Sequence, residues 1–373
     1  MVFKLLSDSA LAKKYKNAAR ADILLPDDST LWLPSRCLAL NWQLGGGIPY
    51  GKLLEIFGYE STGKSLLAME FGYAAQQLGG VVLWGDAEGS FTTLWAKKNG
   101  LDPKRVFVYD GNDIEGYSDW HRDMIIQQRA ILKNNEPILL VCDSIAALDT
   151  LVNIDNSQLD RKAEMGNRAK AIYTMYRMRN HFYKNMGVCV IMINQVRAKV
   201  GATMFEAATT TPGGEATKFY ASQRIGLVPS KQIKGVMKKT GFKEDNQGIK
   251  IGRNIIVQIA KNKVAPPRDS VKTQVYFRPE IWDHVGYSRY HGLPDILVEE
   301  GIVTKKGAYY YYKDHTVAQG EEAFIKLLYT DEHKRKILLK NSTINTISKT
   351  RDKINSLTRN LFEVKVKGDG EEE

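Results

Sequence analysis

The sequence predicts an α/β fold, a mainly parallel central sheet flanked by helices, and three observations carry that reading. Short continuous apolar runs alternate with helix-patterned stretches from Leu38 to roughly Val275, as expected of strands buried on both faces. The first run, Leu53-Leu54-Glu55-Ile56-Phe57, leads directly into GYESTGKS at 58–65, and a helix-patterned stretch follows from Leu66 to Leu78. A later run, Ile138 to Cys142, ends in Asp143. Strand, glycine-bounded loop and helix in that order form a phosphate-binding P-loop, so the core is that of a P-loop nucleoside triphosphatase.

Ahead of that core, Ser7 to Asp22 form a basic, weakly amphipathic helix with Leu11, Tyr15 and Ala18 on one side. The extended Ile23-Leu24-Leu25-Pro26 follows. A helix and strand in this place cannot bury their own apolar side. Residues 1–30 are therefore an arm that docks on the same molecule or on a neighbouring subunit. The ATPase core spans 31–278, with strands at 53–57, 81–85, 138–142 and 188–193. Extended runs at 224–228, 255–260 and 272–277 read as antiparallel, and the polar, basic 229–250 between them is expected to be mobile. After Pro279 a helix within 289–300, the strand-like Tyr309 to Tyr312 and a helix at 320–328 make a small C-terminal α/β domain over 279–330. Residues 331–373 are a helical extension that ends in the acidic Gly-Asp-Gly-Glu-Glu-Glu, expected to be disordered.

Bulk composition narrows the function classes. The chain of 373 residues has 43% hydrophobic and 25% charged residues, ordinary for a globular protein with a sizeable core. Its net charge of +11 suits an acidic polymer as partner or a solvated basic surface. Cys37, Cys142 and Cys189 lie far apart and read as reduced core residues, and the six histidines lack metal-ligand spacing. No apolar run approaches membrane-spanning length and no secretory signal opens the chain, so the expectation is a soluble cytoplasmic protein without a membrane partner.

The loop residues dictate the chemistry. Gly58 and Gly63 let the backbone turn so that N–H groups across Glu60, Ser61 and Thr62 face an anion. The following helix offers its positive N-terminal end. Lys64 reaches the β- and γ-phosphates of ATP, and the Ser65 hydroxyl is a Mg²⁺ ligand. Asp143 stands where such an enzyme places its acidic Mg²⁺ partner. The next residue is Ser144 rather than Glu, so the water-activating carboxylate comes from elsewhere. Strand 81–85 ends in Asp86-Ala87-Glu88. Parallel neighbours open at the same carboxyl edge, which makes Glu88 the candidate general base. Strand 188–193 delivers Asn194-Gln195 to that edge, where Gln195 would bond the γ-phosphate or its attacking water. It precedes a stretch rich in Gly, Thr and Ala from Val196 to Thr211, long enough to be functional or disordered.

These motifs together resemble the bacterial RecA family of DNA strand-exchange recombinases, collinearly over roughly 30–330. Seven carry the likeness: GYESTGKS, Asp86-Ala87-Glu88, Val141 to Leu148, Ile193 to Arg197, Thr209 to Gly214, Lys218 to Ser222, and Lys261 to Pro267. The resemblance implies a filament of identical subunits on single-stranded DNA, with ATP between subunits, pairing with double-stranded DNA, and roles in recombination, repair and the SOS response. Loading or single-strand-binding proteins are further implied partners. It makes Glu88 the catalytic glutamate, Gln195 the γ-phosphate sensor, and Lys261 and Lys263 a pair that reaches the neighbour's γ-phosphate. Trp95 either stacks on adenine, as the family implies, or is a core residue. Two DNA loops are implied. The first spans about 154–166, with Met165 as a wedge between bases and Arg168, Lys170 and Arg177 continuing the charge. The second runs over 196–214, with Arg197 and Lys199 for phosphates, Val200 and Phe205 as apolar contacts, and Gly213 and Gly214 as exposed backbone.

The chain also departs from the family. Tyr59 replaces a usual proline, Pro212 is an extra residue, and 206–212 aligns only to within a position. Residues 231–268 hold ten Lys/Arg against two acids, an excess that suits extra DNA contact or a solvated loop. The divergent amino terminus points to a phage-encoded or outlying bacterial member, in the bacterial or the host cytosol. The alternatives are a hexameric helicase of the same superfamily, and a non-catalytic accessory protein that binds ATP and a recombinase.

Overall fold

Apolar runs with a side chain on each face at every second residue must be covered twice, and the fold does this with helices on both sides of one sheet. The structure, a computed structural model, describes residues 31–155, 161–198, 209–210, 215–238, 241–244, 248–266, 268, 270–277, 285–340 and 342. The expected arm at 1–30, the acidic tail and the extension past 342 lie outside the described residues.

The chain begins with β1 (Trp32–Leu33), α1 (Leu38–Leu44), β2 (Ile48–Pro49), β3 (Leu53–Gly58), α2 (Lys64–Gln77), β4 (Val81–Gly85) and α3 (Thr93–Lys98). Next come β5 (Val106–Tyr109), α4 (Ile114–Ile131), β6 (Ile138–Cys142), α5 (Leu151–Asp155), α6 (Arg161–Met186) and β7 (Val188–Gln195). Then follow β8 (Arg197–Ala198), β9 (Thr209–Thr210), α7 (Ala216–Tyr220), β10 (Gln223–Lys238), β11 (Gly241–Glu244), β12 (Ile249–Asn262), β13 (Ser270–Tyr276) and β14 (Gly286–Tyr287). The last elements are α8 (Leu293–Glu299), β15 (Thr304–Lys306), β16 (Tyr309–Tyr312), β17 (His315–Gln319), α9 (Glu321–Thr330) and α10 (Glu332–Lys340).

The main sheet runs in the order β14-β13-β12-β10-β3-β7-β6-β4-β5, with β11 attached to β10. From β10 to β5 all strands are parallel, and β12, β13 and β14 add on antiparallel. Along β6, Leu139 and Val141 enter one core, and Ile138, Leu140 and Cys142 the other. The first core takes Leu66, Leu67 and Phe71 from α2, and the second takes Tyr117 and Ile125 from α4 with Ile172 and Tyr176 from α6. Strands β15, β16 and β17 form a separate antiparallel sheet, where buried Tyr310 packs on Phe324 of α9 at 5.0 Å. All three cysteines are buried and free, and among the described residues no helix is long and apolar enough to cross a membrane.

One expectation needs correction. The run at 224–228 is not simply antiparallel: β10 lies parallel to β3 and antiparallel only to β12. Helix α7 explains this, because it returns the chain to the amino edge of the sheet, where the Ser222 N–H donates to the Leu53 carbonyl, so β10 must start alongside β3. Within the basic run 229–250, the described residues include paired strand. Pairing of β10 with β12 continues to Gly235 and Ile249, and β11 folds back on the tip. Ile233 and Ile251 bury themselves against Tyr276 and hold the base of this hairpin.

The second core contains a histidine that should make the fold acid-sensitive. His121 on α4 is fully buried, with Nε2 at 2.9 Å from the Tyr183 hydroxyl on α6. Burial, then the Arg179 charge, push its pKa down from 6.5 to about 3. With a depressed folded pKa, the unfolded chain takes up the proton first. Its contribution is complete above the unfolded pKa and is lost, at roughly 1.4 kcal/mol per pH unit, as acidity rises toward the folded value. Thermal midpoints taken between about pH 7 and 4.5 should fall less steeply in His121→Gln than in the parent. Parallel curves would contradict this assignment.

Candidate nucleotide site and DNA-binding loops

Four neighbouring parallel strands, β3, β7, β6 and β4, end at one edge of the sheet, and each carries a residue of the site there. The P-loop leaves β3 through Gly58, where an added Cβ would lie 2.7 Å from the Leu227 carbonyl oxygen of β10. It closes through Gly63 at φ +89°, a conformation that favours glycine. Helix α2 then starts with no side-chain cap and no acidic residue in its first turn. Its first N–H groups therefore face the loop ready for an anion. Lys64 folds back over the loop, with Nζ donating to the carbonyls of Gly58 (3.1 Å) and Tyr59 (2.7 Å). Burial lowers its pKa from the ordinary amine value, and the charges of Asp143, Glu88 and Glu60 oppose that shift.

Asp143, just past β6, is almost wholly buried, and its Oδ2 has no hydrogen-bond partner among the described residues. Burial pushes its pKa up to about 6; a hydrogen bond from Ser65 and the Lys64 charge work against this, while Glu88 and Asp86 add to it. A buried carboxylate oxygen without a donor, next to a hydroxyl, is a suitable set of oxygen ligands for a divalent cation. Ser65 and Asp143 thus fit Mg²⁺.

Beyond β4, Asp86 shapes the turn by accepting from the N–H groups of Ser90 (3.0 Å) and Phe91 (2.8 Å). That turn presents Glu88, whose Oε1 accepts from the Ser144 hydroxyl and from Gln195 Nε2 at 2.9 Å. Gln195 in turn is held by its predecessor: Asn194 Oδ1 accepts the Gln195 N–H, and Asn194 Nδ2 donates to buried Glu55 of β3.

These groups surround a cleft of about 900 Å³, a size that admits a nucleotide. Glu60, Ser61, Thr62, Gly63, Lys64, Ser65, Glu88, Trp95, Asp143 and Gln195, all singled out from sequence, line it together. Gly58 sits just beneath, at the end of β3. Lys98, Lys250, Arg253 and Phe277 line it too and were not foreseen. Phe277 follows the end of β13, and no local motif marks an aromatic there. The two hairpin cations lay within the basic 231–268 run, which hid them among eight others.

Lys261 and Lys263 are elsewhere. Lys261 pairs with Arg224 near the start of β10, at the amino edge of the sheet, and its Nζ donates to the carbonyls of Lys218 and Phe219. The expected first DNA loop is largely helical: α5 reaches Asp155 and α6 begins at Arg161, because the run after 160 has the composition of a helix without glycine or proline breaks except Gly166. Met165 therefore lies on α6. Arg168 is tied to the framework through Ile145 and Ala146 carbonyls at 3.0 and 2.6 Å, whereas Lys170 and Arg177 are exposed. In the second loop, Arg197 and Ala198 pair with Thr210 and Thr209. Lys199, Val200, Phe205, Gly213 and Gly214 lie outside the described residues.

A parallel sheet with a P-loop, a buried carboxylate on the next strand but one and a carboxylate–amide pair at the same edge defines a P-loop ATPase. The family comparisons carry this further: the RecA N-terminal domain matches residues 23–281 and the RecA C-terminal domain residues 293–340. Protein RecA of Geobacter sulfurreducens is 34% identical over 303 residues, covering 81% of each chain. Protein RecA of Chloroherpeton thalassium is 32% identical over 312 residues, 83% of this chain and 80% of that one. That of Thermotoga maritima is 32% identical over 325 residues, 86% and 83% of the two chains. The chain belongs to the RecA family. It is a RecA-type recombinase and DNA-dependent ATPase that binds ATP and DNA, and its family acts in recombination, repair and the SOS response.

The unpartnered Asp143 oxygen has a measurable cost. In metal-free, nucleotide-free buffer near pH 8, Asp143→Asn should raise the thermal midpoint by roughly a few degrees while abolishing hydrolysis. A midpoint at or below that of the parent would show that Asp143 is well satisfied without a cation.

Proposed function

We propose that this chain assembles into a helical filament on single-stranded DNA, holds Mg·ATP between subunits, and pairs that strand with homologous duplex. The observation that supports this most is the convergence of Lys64, Ser65, Asp143, Glu88 and Gln195 on one cleft at one sheet edge. The domain roles proposed are an oligomerisation arm at 1–30, the core at 31–278, a small domain at 279–330 and an extension beyond.

In that reading the α2 N-terminus and the loop N–H groups hold the phosphates, and Lys64 leaves the Gly58 and Tyr59 carbonyls for the β- and γ-oxygens. Ser65 and Asp143 would hold Mg²⁺, which neutralises phosphate charge when bound. Trp95 and Phe277 flank the cleft as apolar walls for a purine. Glu88 takes the proton of the attacking water. Gln195 holds Glu88 Oε1 and also leads into β8 and the second DNA loop, so contact of its amide with a γ-phosphate would change both base and loop. Lys261 and Lys263, at the opposite end of the sheet from their own P-loop, serve a neighbour's nucleotide. DNA contacts are assigned to Met165, Arg168, Lys170 and Arg177 and to Arg197, Lys199, Val200, Phe205, Gly213 and Gly214. Cations supply affinity for phosphates, and apolar residues hold bases apart. Of these, Arg168 has the weaker claim, since its guanidinium already serves the framework.

Glu88→Gln should lower DNA-stimulated turnover at least about 100-fold and leave ATP-dependent filaments intact by electron microscopy. Near-parental hydrolysis would remove Glu88 as the base. Joint-molecule formation should occur with homologous duplex and fail with non-homologous duplex. A double Lys261→Ala, Lys263→Ala variant should lose DNA-stimulated ATPase activity yet still bind ATP as a dispersed protein. Loss of binding in the dispersed state would place those lysines in their own subunit's site.

A further inference from the structure

We infer that Arg253, supported by Lys250, is a cationic contact for the polyphosphate of the nucleotide bound in its own subunit. The inference rests on the reading of the cleft as a nucleotide site. Both residues come from the start of β12, at the base of the long hairpin. Arg253 is opposite Gln232 on one side and Val275 on the other, which sets it at the carboxyl edge beside the P-loop. Its Nη1 donates to the Ser61 carbonyl at 3.1 Å, while its Nε, shielded from solvent, has no partner among the described residues. One of five guanidinium N–H donors is thus used on the loop that would surround the phosphates, leaving others for an anion. No carboxylate pairs with Arg253 among the described residues, and none pairs with Lys250, which is exposed.

The charge balance of the cleft favours the same conclusion. Without the hairpin pair, Glu60, Glu88 and Asp143 face only Lys64 and Lys98. By side-chain charge alone that lining is net negative, so a polyanion there would draw only on the loop N–H groups and a bound cation. Lys250 and Arg253 reverse the sign, giving four cations against three carboxylates. Lys261 and Lys263 cannot provide this correction, because β12 carries them to the other end of the sheet. A guanidinium that only braced the P-loop would need its hydrogen bond to Ser61 but not its charge. The two roles therefore separate by substitution.

The test is equilibrium binding of a fluorescent ATP analogue to the full-length protein, dispersed and without DNA, across a range of salt. Arg253→Ala and Arg253→Gln should each weaken binding roughly tenfold or more and flatten its salt dependence, with Arg253→Lys in between. Gln can keep a donor on Ser61. Parental affinity and salt slope in Arg253→Gln would therefore overturn the inference and leave Arg253 a brace. If thermal melts show the Arg253 variants misfolded, Lys250→Ala decides: roughly threefold weaker binding supports the proposal, and unchanged binding overturns it. Lys64→Ala is the separate control. Parental binding there would sink the nucleotide reading itself, whatever Arg253 does.

Discussion

Parallel strands that all end on the same line are the constraint behind this site. Adjacent strands are about 4.8 Å apart, so the sheet order β3-β7-β6-β4 brings the P-loop, Gln195, Asp143 and the Glu88 turn within a few strand spacings of one another. None of these residues is close to the others in sequence. Their proximity depends on register, and one slipped strand would carry its residue away from the edge and turn its neighbours to the wrong face. The cleft is therefore as well defined as the pairing beneath it.

A buried charge cluster helps set that pairing. Glu55 of β3 is fully buried and accepts from Asn194 of β7 and Arg224 of β10, the strands on either side. A buried ion pair gains little net stability over apolar packing, but a mismatched one leaves an uncompensated charge and costs several kcal/mol. Slippage of β7 or β10 against β3 would have that consequence. The cluster also reaches the site, because Asn194 holds the Gln195 backbone by its Oδ1. The main chain at Gln195 is held by Asn194 while its half-buried side chain donates to Glu88.

Residues 58–65, 86–88, 143 and 195 were legible in the sequence because their meaning is local. A strand, a loop of small residues and a helix start are written in consecutive positions, and the edge at which parallel strands open is common to all of them. The direction of β10 was not legible, since the five-residue helix α7 that precedes it is too short to carry a pattern of its own. The hairpin was hidden because its residues are mostly polar and basic, and the partner against which Ile233 and Ile251 are buried, Tyr276, is on another strand. Phe277 needed tertiary structure for the same reason. Arg168 carries a framework contact that no local pattern announces: its guanidinium donates to two carbonyls of the turn after β6.

The two ends of the sheet also account for why a single subunit is an incomplete enzyme on this reading. Lys261 is level with Glu55, below the loop, and two strands away from β3. No side-chain rotation takes an ammonium from the amino edge of the sheet to a γ-phosphate above its carboxyl edge. If these lysines meet ATP at all, they meet a neighbour's. Nucleotide and assembly must then be linked reciprocally: whatever ATP adds to the affinity of one subunit for the next, the next subunit adds to the affinity for ATP. On the same reading the hairpin cations, which have no carboxylate partner among the described residues, would modify that linkage, because a cleft with its own net positive lining depends less on a neighbour for charge. The terminal phosphate is then the part of the nucleotide left to report whether a second copy is in place.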